Sequence, residues 1–442
     1  MPEKNCLAVI LEYSQNYFFF RRPILSVFSW TYQFVLGGLV CVYSPKALYD
    51  YAVKGKYRKS LGQRFGKGIA EQKNPEKPLI WLHAASMGET KAIAKLAKQI
   101  QQNHPNYALL ISSITETGHE ESLRSIPTAD YHIYLPLDFS PCIKPLLQKF
   151  RPELILLSET EVWWNFLRLA KEQGAKIGIV NGKVSDRSNS RLSLLPKIGQ
   201  KLYSPVDLCC AQTMEYGARF QSLGVPRVLI TGNTKFDIPS VSTSQLLPNG
   251  FDWIIIGSTH PGEEEALVPQ ILTLTKLFPK LRIAVVPRHP ERFDTIERYL
   301  STLECKIQRY SKGVSGDYQI LLVDAMGILA QIYSQAKIAI VGGSFVPGIG
   351  GHNIVEPCLA STPVLFGPYM DGQKEMLALV KKMEAGKQLP SENIAKEIKM
   401  LLDAPEKLAN IEKNCLKLAQ ENQGATERTY QAIKPWLNSH DR

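Results

Sequence analysis

The chain has eight cysteines in 442 residues, and none lies in a CxxC pair or another metal-ligand spacing. Cys209 and Cys210 are adjacent inside an apolar run, and adjacent thiols rarely bridge each other. That spacing favours neither a disulfide framework nor a cysteine-based metal site, and the thiols read as buried groups in a reducing compartment. The chain also lacks internal repeats, low-complexity tracts and any recognised nucleic-acid-binding motif. No small-residue cleavage site follows its first apolar segment, which begins too late for a secretory signal.

Net charge is +11, with 44% apolar and 21% charged residues, a globular composition. The excess is concentrated at one end: the first 68 residues hold ten Lys and Arg against Glu3, Glu12 and Asp50. A basic end beside an apolar segment points to an anionic membrane surface more than to nucleic acid. That segment, residues 24–43, reads ILSVFSWTYQFVLGGLVCVY and carries no charge. It is long enough to span a bilayer as a helix. Its Ser29, Thr31, Gln33 and Gly37-Gly38 also suit a helix lying in the interface. The basic run KGKYRKSLGQR behind it places the following domain on the cytoplasmic side.

From residue 78 onward, short apolar runs alternate with helical stretches of about ten to fifteen residues, the pattern of parallel sheets with helices on both faces. PLIWLH, YALLISS, YHIYLP, ELILLS, KIGIVN, VDLCCAQ and RVLITG form one series. DWIIIGS, LRIAVVP, YQILLVD, KIAIVGG and TPVLFGP form a second, and residues 391–436 read as helical throughout. The expected division is an anchor with its flanks at 1–50, a first Rossmann-like domain at 51–236, a Ser- and Pro-rich linker at 237–250, a second domain at 251–425 and a helical tail at 426–442. Two such domains form a cleft at the carboxyl ends of both sheets, so the chemistry is sought in the loops there.

The most informative loop is GGSFVPGIGGHNIVEP, residues 342–357, with five glycines in ten residues. It is expected to leave amides open, Gly343 and Gly351 among them, and to feed a helix whose N-terminus attracts an anion. Ser344 and Asn353 add polar groups, and Glu356 is placed to hold a ribose hydroxyl pair. In the same half, Ser258 and His260 in GSTHPGEEE, and Arg288 and His289 in VVPRHPER, follow strands. Arginine offers a fork of donors suited to phosphate. In the first half, HAASMGE puts Ser86 and Glu89 at a helix start. Glu89 reads equally as a carboxylate favouring the helix dipole and as a general base. Glu159 in SETEVWWN is a second carboxylate for the cleft, and Ser86, Thr115, Lys183 and Lys235 are candidate phosphate or acceptor contacts.

In their order along the chain, YRKSLGQRFG, HAASMGE, YLPLD, SETEVWWN, AQTMEYGARFQSLGV, TGNTKFD, GSTHPGEEE, VPRHPER and GGSFVPGIGGHNIVEP resemble the Kdo (3-deoxy-D-manno-octulosonic acid) transferase family. The resemblance runs from about residue 50 to residue 430. It implies an α/β fold of the GT-B type, two Rossmann-like domains facing a cleft behind an N-terminal membrane anchor. It implies inverting transfer of Kdo from CMP-Kdo to the lipid A precursor lipid IVA in lipopolysaccharide synthesis, without metal or other cofactor. The missing DxD-like motif in the cleft loops agrees with that. By the same resemblance Glu89 is the base, and Ser258, Arg288, His289, Ser344, Gly351, Asn353 and Glu356 surround the CMP moiety. The implied place is the cytoplasmic face of a Gram-negative-type inner membrane, on a single-pass anchor in contact with anionic lipids. The alternative is a membrane-associated GT-B enzyme that uses a UDP-sugar. The chain departs from the family at Trp163-Trp164-Asn165, where Trp-Pro-Asn is usual.

Overall fold

The computed structural model describes residues 22–53, 57–58, 60–69, 71–237 and 245–437. Two parallel sheets of seven strands organise them. The first holds β1 (Leu79–His83), β2 (Ala108–Ser113), β3 (Tyr131–Tyr134), β4 (Leu154–Ser158), β5 (Lys176–Gly182), β6 (Leu208–Ala211) and β7 (Val228–Ile230), in the order β3-β2-β1-β4-β5-β6-β7. The second holds β8 (Asp252–Thr259), β9 (Leu281–Pro287), β10 (Ile307–Arg309), β11 (Ile320–Leu322), β12 (Ala336–Val341), β13 (Val364–Phe366) and β14 (Gly386–Gln388), in the order β10-β11-β9-β8-β12-β13-β14. All twelve apolar runs read from the sequence form strands here. Unbroken Ile, Leu and Val runs suit strands covered on both faces. β1, for example, is buried at every residue.

Each sheet accordingly has two cores. Trp81, Phe150, Phe166 and Phe220 fill one face of the first sheet, and Leu82, Ile93 and Leu156 the other. Trp253, Tyr333 and Phe366 fill one face of the second, and Ile256, Val285 and Leu322 the other. The strand order reverses direction between β1 and β4 and again between β8 and β12. In open parallel sheets such switch points open a crevice at the strand carboxyl ends, where ligands bind.

The structure refines the expected outline at several places. β10 and β14 are three-residue edge strands without an apolar run to announce them. The stretch read as continuous helix is three helices, Ile394–Asp403, Pro405–Asn422 and Ala425–Leu437. Pro405 opens the second, and Gly424, at φ +85°, separates the second from the third. The last helix leaves the second domain and packs on the first, where Tyr430, Ile433 and Leu437 join the core around Leu82. Asp237 accepts from the Gly424 and Thr426 amides, so the outgoing and returning chains are tied at one point. Residues 238–244 of the expected linker and 438–442 of the expected tail lie outside the described residues.

Candidate active site at the two switch points

Beside the β1–β4 switch point, β1 runs into a turn that starts the helix Met87–Asn103. Ser86 is its N-cap, with extended backbone and its hydroxyl accepting from the Glu89 amide. Glu89 returns the bond: Oε1 accepts from the Ser86 hydroxyl at 2.9 Å and Oε2 from the Ala85 amide at 2.9 Å. This reciprocal arrangement is a variant of the capping box, with the carboxylate reaching the amide one residue before the N-cap. The carboxylate is therefore both a helix cap and a polar group at the sheet's carboxyl end. Burial pushes its pKa up to about 7; the Ala85 and Ser86 bonds hold it back, and Glu159 and Glu161 push it further. An acid of that strength is poised to accept a proton near neutrality.

Glu159 follows β4 with φ +60°, left-handed backbone that a non-glycine residue rarely adopts. Its carboxylate pairs with Lys235 at 2.8 Å, so Lys235 meets a carboxylate instead of standing free for a phosphate. Thr115 caps the helix Glu116–Ser125 and donates to the Ala85 carbonyl at 3.1 Å, bracing the turn that carries Glu89. Lys183 reaches across to Glu375 of the second domain at 3.0 Å, and the Tyr216 hydroxyl donates to the same carboxylate. Lys183 thus joins the two domains.

At the β8–β12 switch point, β8 ends in a bulge with Ser258 at φ +57°. Bulges re-aim side chains beside active sites. The glycine loop behaves differently from its sequence reading. Glu263, fully buried, accepts from the amides of Gly343 at 2.7 Å, Phe345 at 2.9 Å and His260 at 2.9 Å. A Cβ at residue 342 would sit 2.7 Å from Glu263 Oε2, which is why glycine stands there. The start of the loop is thus a nest filled by the protein's own carboxylate, and those amides are not open to a ligand. Ser344 is buried, donating to the Val341 carbonyl and accepting from the Gly367 amide, so its hydroxyl serves the loop. Gly351, at φ +82°, donates to the Gly343 carbonyl, and Asn353 Oδ1 accepts from the Val355 amide. The helix that follows is short, Val355–Leu359, with Glu356 as its second residue. Anion binding at its N-terminus, as the sequence suggested, has little helix behind it.

What the loop does present is a group of side chains. His260 and His352 approach Nε2 to Nε2 at 2.8 Å with rings stacked, so one donates and the other accepts. Burial lowers both, His352 to about 4, and each also senses Arg288 and His289. His289 is exposed, 3.7 Å from Glu291. The two nearby arginines divide. Arg292 is committed, forked onto buried Glu264 at 3.0 and 2.9 Å. Arg288 makes no side-chain hydrogen bond or ion pair among the described residues. Glu356 is likewise unpaired and half-buried; burial raises its pKa, against the pull of Lys91 and Arg288. Lys91 belongs to the first domain, two residues past Glu89, and was not singled out in the sequence. Nor was Glu263, whose only trace there is a run of three glutamates after Gly262. Among the described residues no group of His, Cys, Asp and Glu is arranged to hold a metal ion.

Residues 59–238 match the family described as 3-Deoxy-D-manno-octulosonic-acid transferase (kdotransferase). A 3-deoxy-D-manno-octulosonic acid transferase of Chlamydophila psittaci is 36% identical over 411 residues, covering 89% of this chain and 93% of that protein. The chain belongs to the Kdo transferase family. The Haemophilus influenzae member of this glycosyltransferase family is 30% identical over 418 residues, with 90% and 94% covered. Among solved structures, the Acinetobacter baumannii MurG aligns with TM-score 0.52 at 13% identity, over 81% of this chain and 100% of that one. The UDP-GlcNAc 2-epimerase of Neisseria meningitidis aligns with TM-score 0.54 at 16% identity, over 81% and 100%. At such identities these two establish the GT-B architecture and nothing of the substrate.

Proposed function

We propose that this protein transfers Kdo from CMP-Kdo to a hydroxyl of the lipid A precursor lipid IVA, inverting the anomeric configuration and using no metal. The observation that carries the reading is Glu89, half-buried at the first switch point with its pKa pushed up to about 7. In the reaction the acceptor oxygen attacks the anomeric carbon of Kdo and its proton passes to Glu89. The bond from that carbon to the phosphate breaks, and CMP leaves with the electron pair. Negative charge then grows on the phosphate, where a preorganised cation stabilises the transition state. Arg288, near enough to Glu356 to draw its pKa down, supplies it. Glu356 accepts from the ribose hydroxyls, with His260, His289 and His352 lining the donor side. Glu159 and Lys235 fix the field around the base. The acceptor is a membrane lipid, so the site works at the cytoplasmic face of a Gram-negative-type inner membrane, where the basic N-terminal end meets anionic lipid.

The test is incubation of the purified full-length chain with CMP-Kdo and lipid IVA, followed by mass spectrometry of the lipid. A product heavier by one or more Kdo units is expected. Turnover of UDP-GlcNAc with no turnover of CMP-Kdo would overturn the assignment.

A further inference from the structure

One helix among the described residues, Arg22–Ala52, contains a segment long and apolar enough to cross a membrane, Val27–Lys46. Composition alone allows it to span. Its attachments do not. Near its start, Tyr32 donates to Asp138 Oδ2 at 2.8 Å, and Phe28 and Tyr32 pack on Trp164 with ring centroids 4.8 and 5.5 Å away. Asp138 also accepts from the Asn165 and Phe166 amides, so the contact is built into the first domain. Just past the helix end the chain returns to the same domain. The Tyr57 amide donates to Glu116 at 2.9 Å, Gln63 accepts from the Tyr134 amide at 2.8 Å, and the Arg64 carbonyl accepts from the Leu137 amide at 2.8 Å. Leu137 adjoins Asp138, so the departing and returning chains meet the domain at neighbouring residues.

The lengths then decide the topology. A helix crossing from Phe28 would carry Lys46, and Ala52 beyond it, to the far side of about 30 Å of hydrocarbon. From Ala52 to Tyr57 the chain reaches roughly 17 Å at most, at about 3.4 Å per residue. That segment holds Lys54 and Lys56, whose placement lies outside the described residues. It cannot bring the chain back through the bilayer to Glu116.

We infer that the helix Arg22–Ala52 lies in the plane of one leaflet with both ends on the side of the catalytic domains, instead of serving as a single-pass span. Its two sides fit that placement. Ser29 and Gln33 fall toward Tyr32 on the half-buried side, together with Leu36 and Val40. Trp30 and Phe34 point the other way, 75% and 84% exposed. The occupant of that apolar side is lipid: exposed Lys46 near the helix end and exposed Arg58 and Lys67 just after it supply the positive charge that an anionic headgroup layer attracts. The inference rests on the membrane association in the proposed function, but its test does not depend on sugar transfer.

The test uses the full-length chain in bacterial inner membranes, with one epitope tag before Met1 and another after Arg442. Protease should remove both tags from sealed inverted vesicles and neither from spheroplasts. Removal of the N-terminal tag alone from spheroplasts would overturn the inference, as would recovery of the wild-type chain in the soluble fraction without detergent. A Trp30→Glu, Phe34→Glu double variant should lower the membrane-bound fraction roughly tenfold or more. Its thermal melt and CMP binding should match wild type, since neither side chain packs on the domain. Full membrane retention of that variant would contradict the lipid-facing assignment.

Discussion

Glu89→Gln separates the two duties of one side chain. Glutamine can still accept from the Ala85 amide, and its NH₂ can donate to the Ser86 hydroxyl, so the capping box survives in outline. What it loses is the proton affinity. A shift from 4.5 to about 7 corresponds to roughly 3–4 kcal/mol at most, borne by the ionised form in the native state. Because the folded pKa lies above the unfolded one, native protein holds this proton over a window in which the unfolded chain has released it. The stability from this group is complete below pH 4.5 and is lost as pH rises through about 7. At pH 8 the variant should therefore melt no lower than wild type. Transfer of Kdo should meanwhile fall ~10²–10⁴-fold. Wild-type activity should drop about tenfold for each pH unit below the base's pKa, while the residual activity of the variant should lack that slope. The assay is lipid-product mass spectrometry across pH 5 to 9, paired with thermal melts at the two ends. A folded variant with near wild-type transfer would refute the base assignment and bring Glu159 forward. A variant clearly less stable than wild type at pH 8 would refute the burial argument.

Arg288→Ala and Glu356→Ala should each weaken CMP binding by ~1.5–3 kcal/mol in titration calorimetry, the worth of a charged hydrogen bond, while Glu89→Gln leaves it intact; equal losses in all three would undo the division between the two domains. Glu263→Ala should strand three buried amides at a cost of ~1–3 kcal/mol each, visible as a markedly lower melt together with lost CMP affinity, and an unchanged melt would show that the loop does not depend on that carboxylate. Activity should persist in EDTA, and a strict requirement for added Mg²⁺ would contradict the assignment of charge stabilisation to Arg288.

The sheets were legible because parallel strands buried on both faces must be apolar along their whole length, as in WIII of β8 and LILL of β4. The edge strands β10 and β14 were not, since IQR and GKQ are half-covered and held by one neighbour each. The loops of the site were legible in position, because the topology fixes where ligands bind. Their internal bonding was not. Nothing in the sequence distinguishes an open glycine nest from one filled by Glu263, which lies about eighty residues earlier in the chain. Nor does composition tell committed Arg292 from free Arg288, four residues apart. The N-terminal helix shows the same limit. Its apolar content is local, whereas its topology depends on Tyr32 meeting Asp138 from a distance of 106 residues.

The return of the last helix to the first domain has a consequence for biosynthesis. Ile80, Leu82 and Leu156 on one face of the first sheet are covered in part by Tyr430, Ile433 and Leu437. A ribosome delivers those residues only after the whole second domain has been made. During translation the first domain therefore carries an uncovered apolar face for the time taken to add some two hundred residues, roughly ten to forty seconds at bacterial elongation rates. The second domain, with both sheet faces closed by helices up to Asn422, has no such debt to the C-terminus. Chains that stall or are cut between Asn422 and Ala425 should consequently fail in the half that was synthesised first, and limited proteolysis of such fragments should spare the half that was synthesised last.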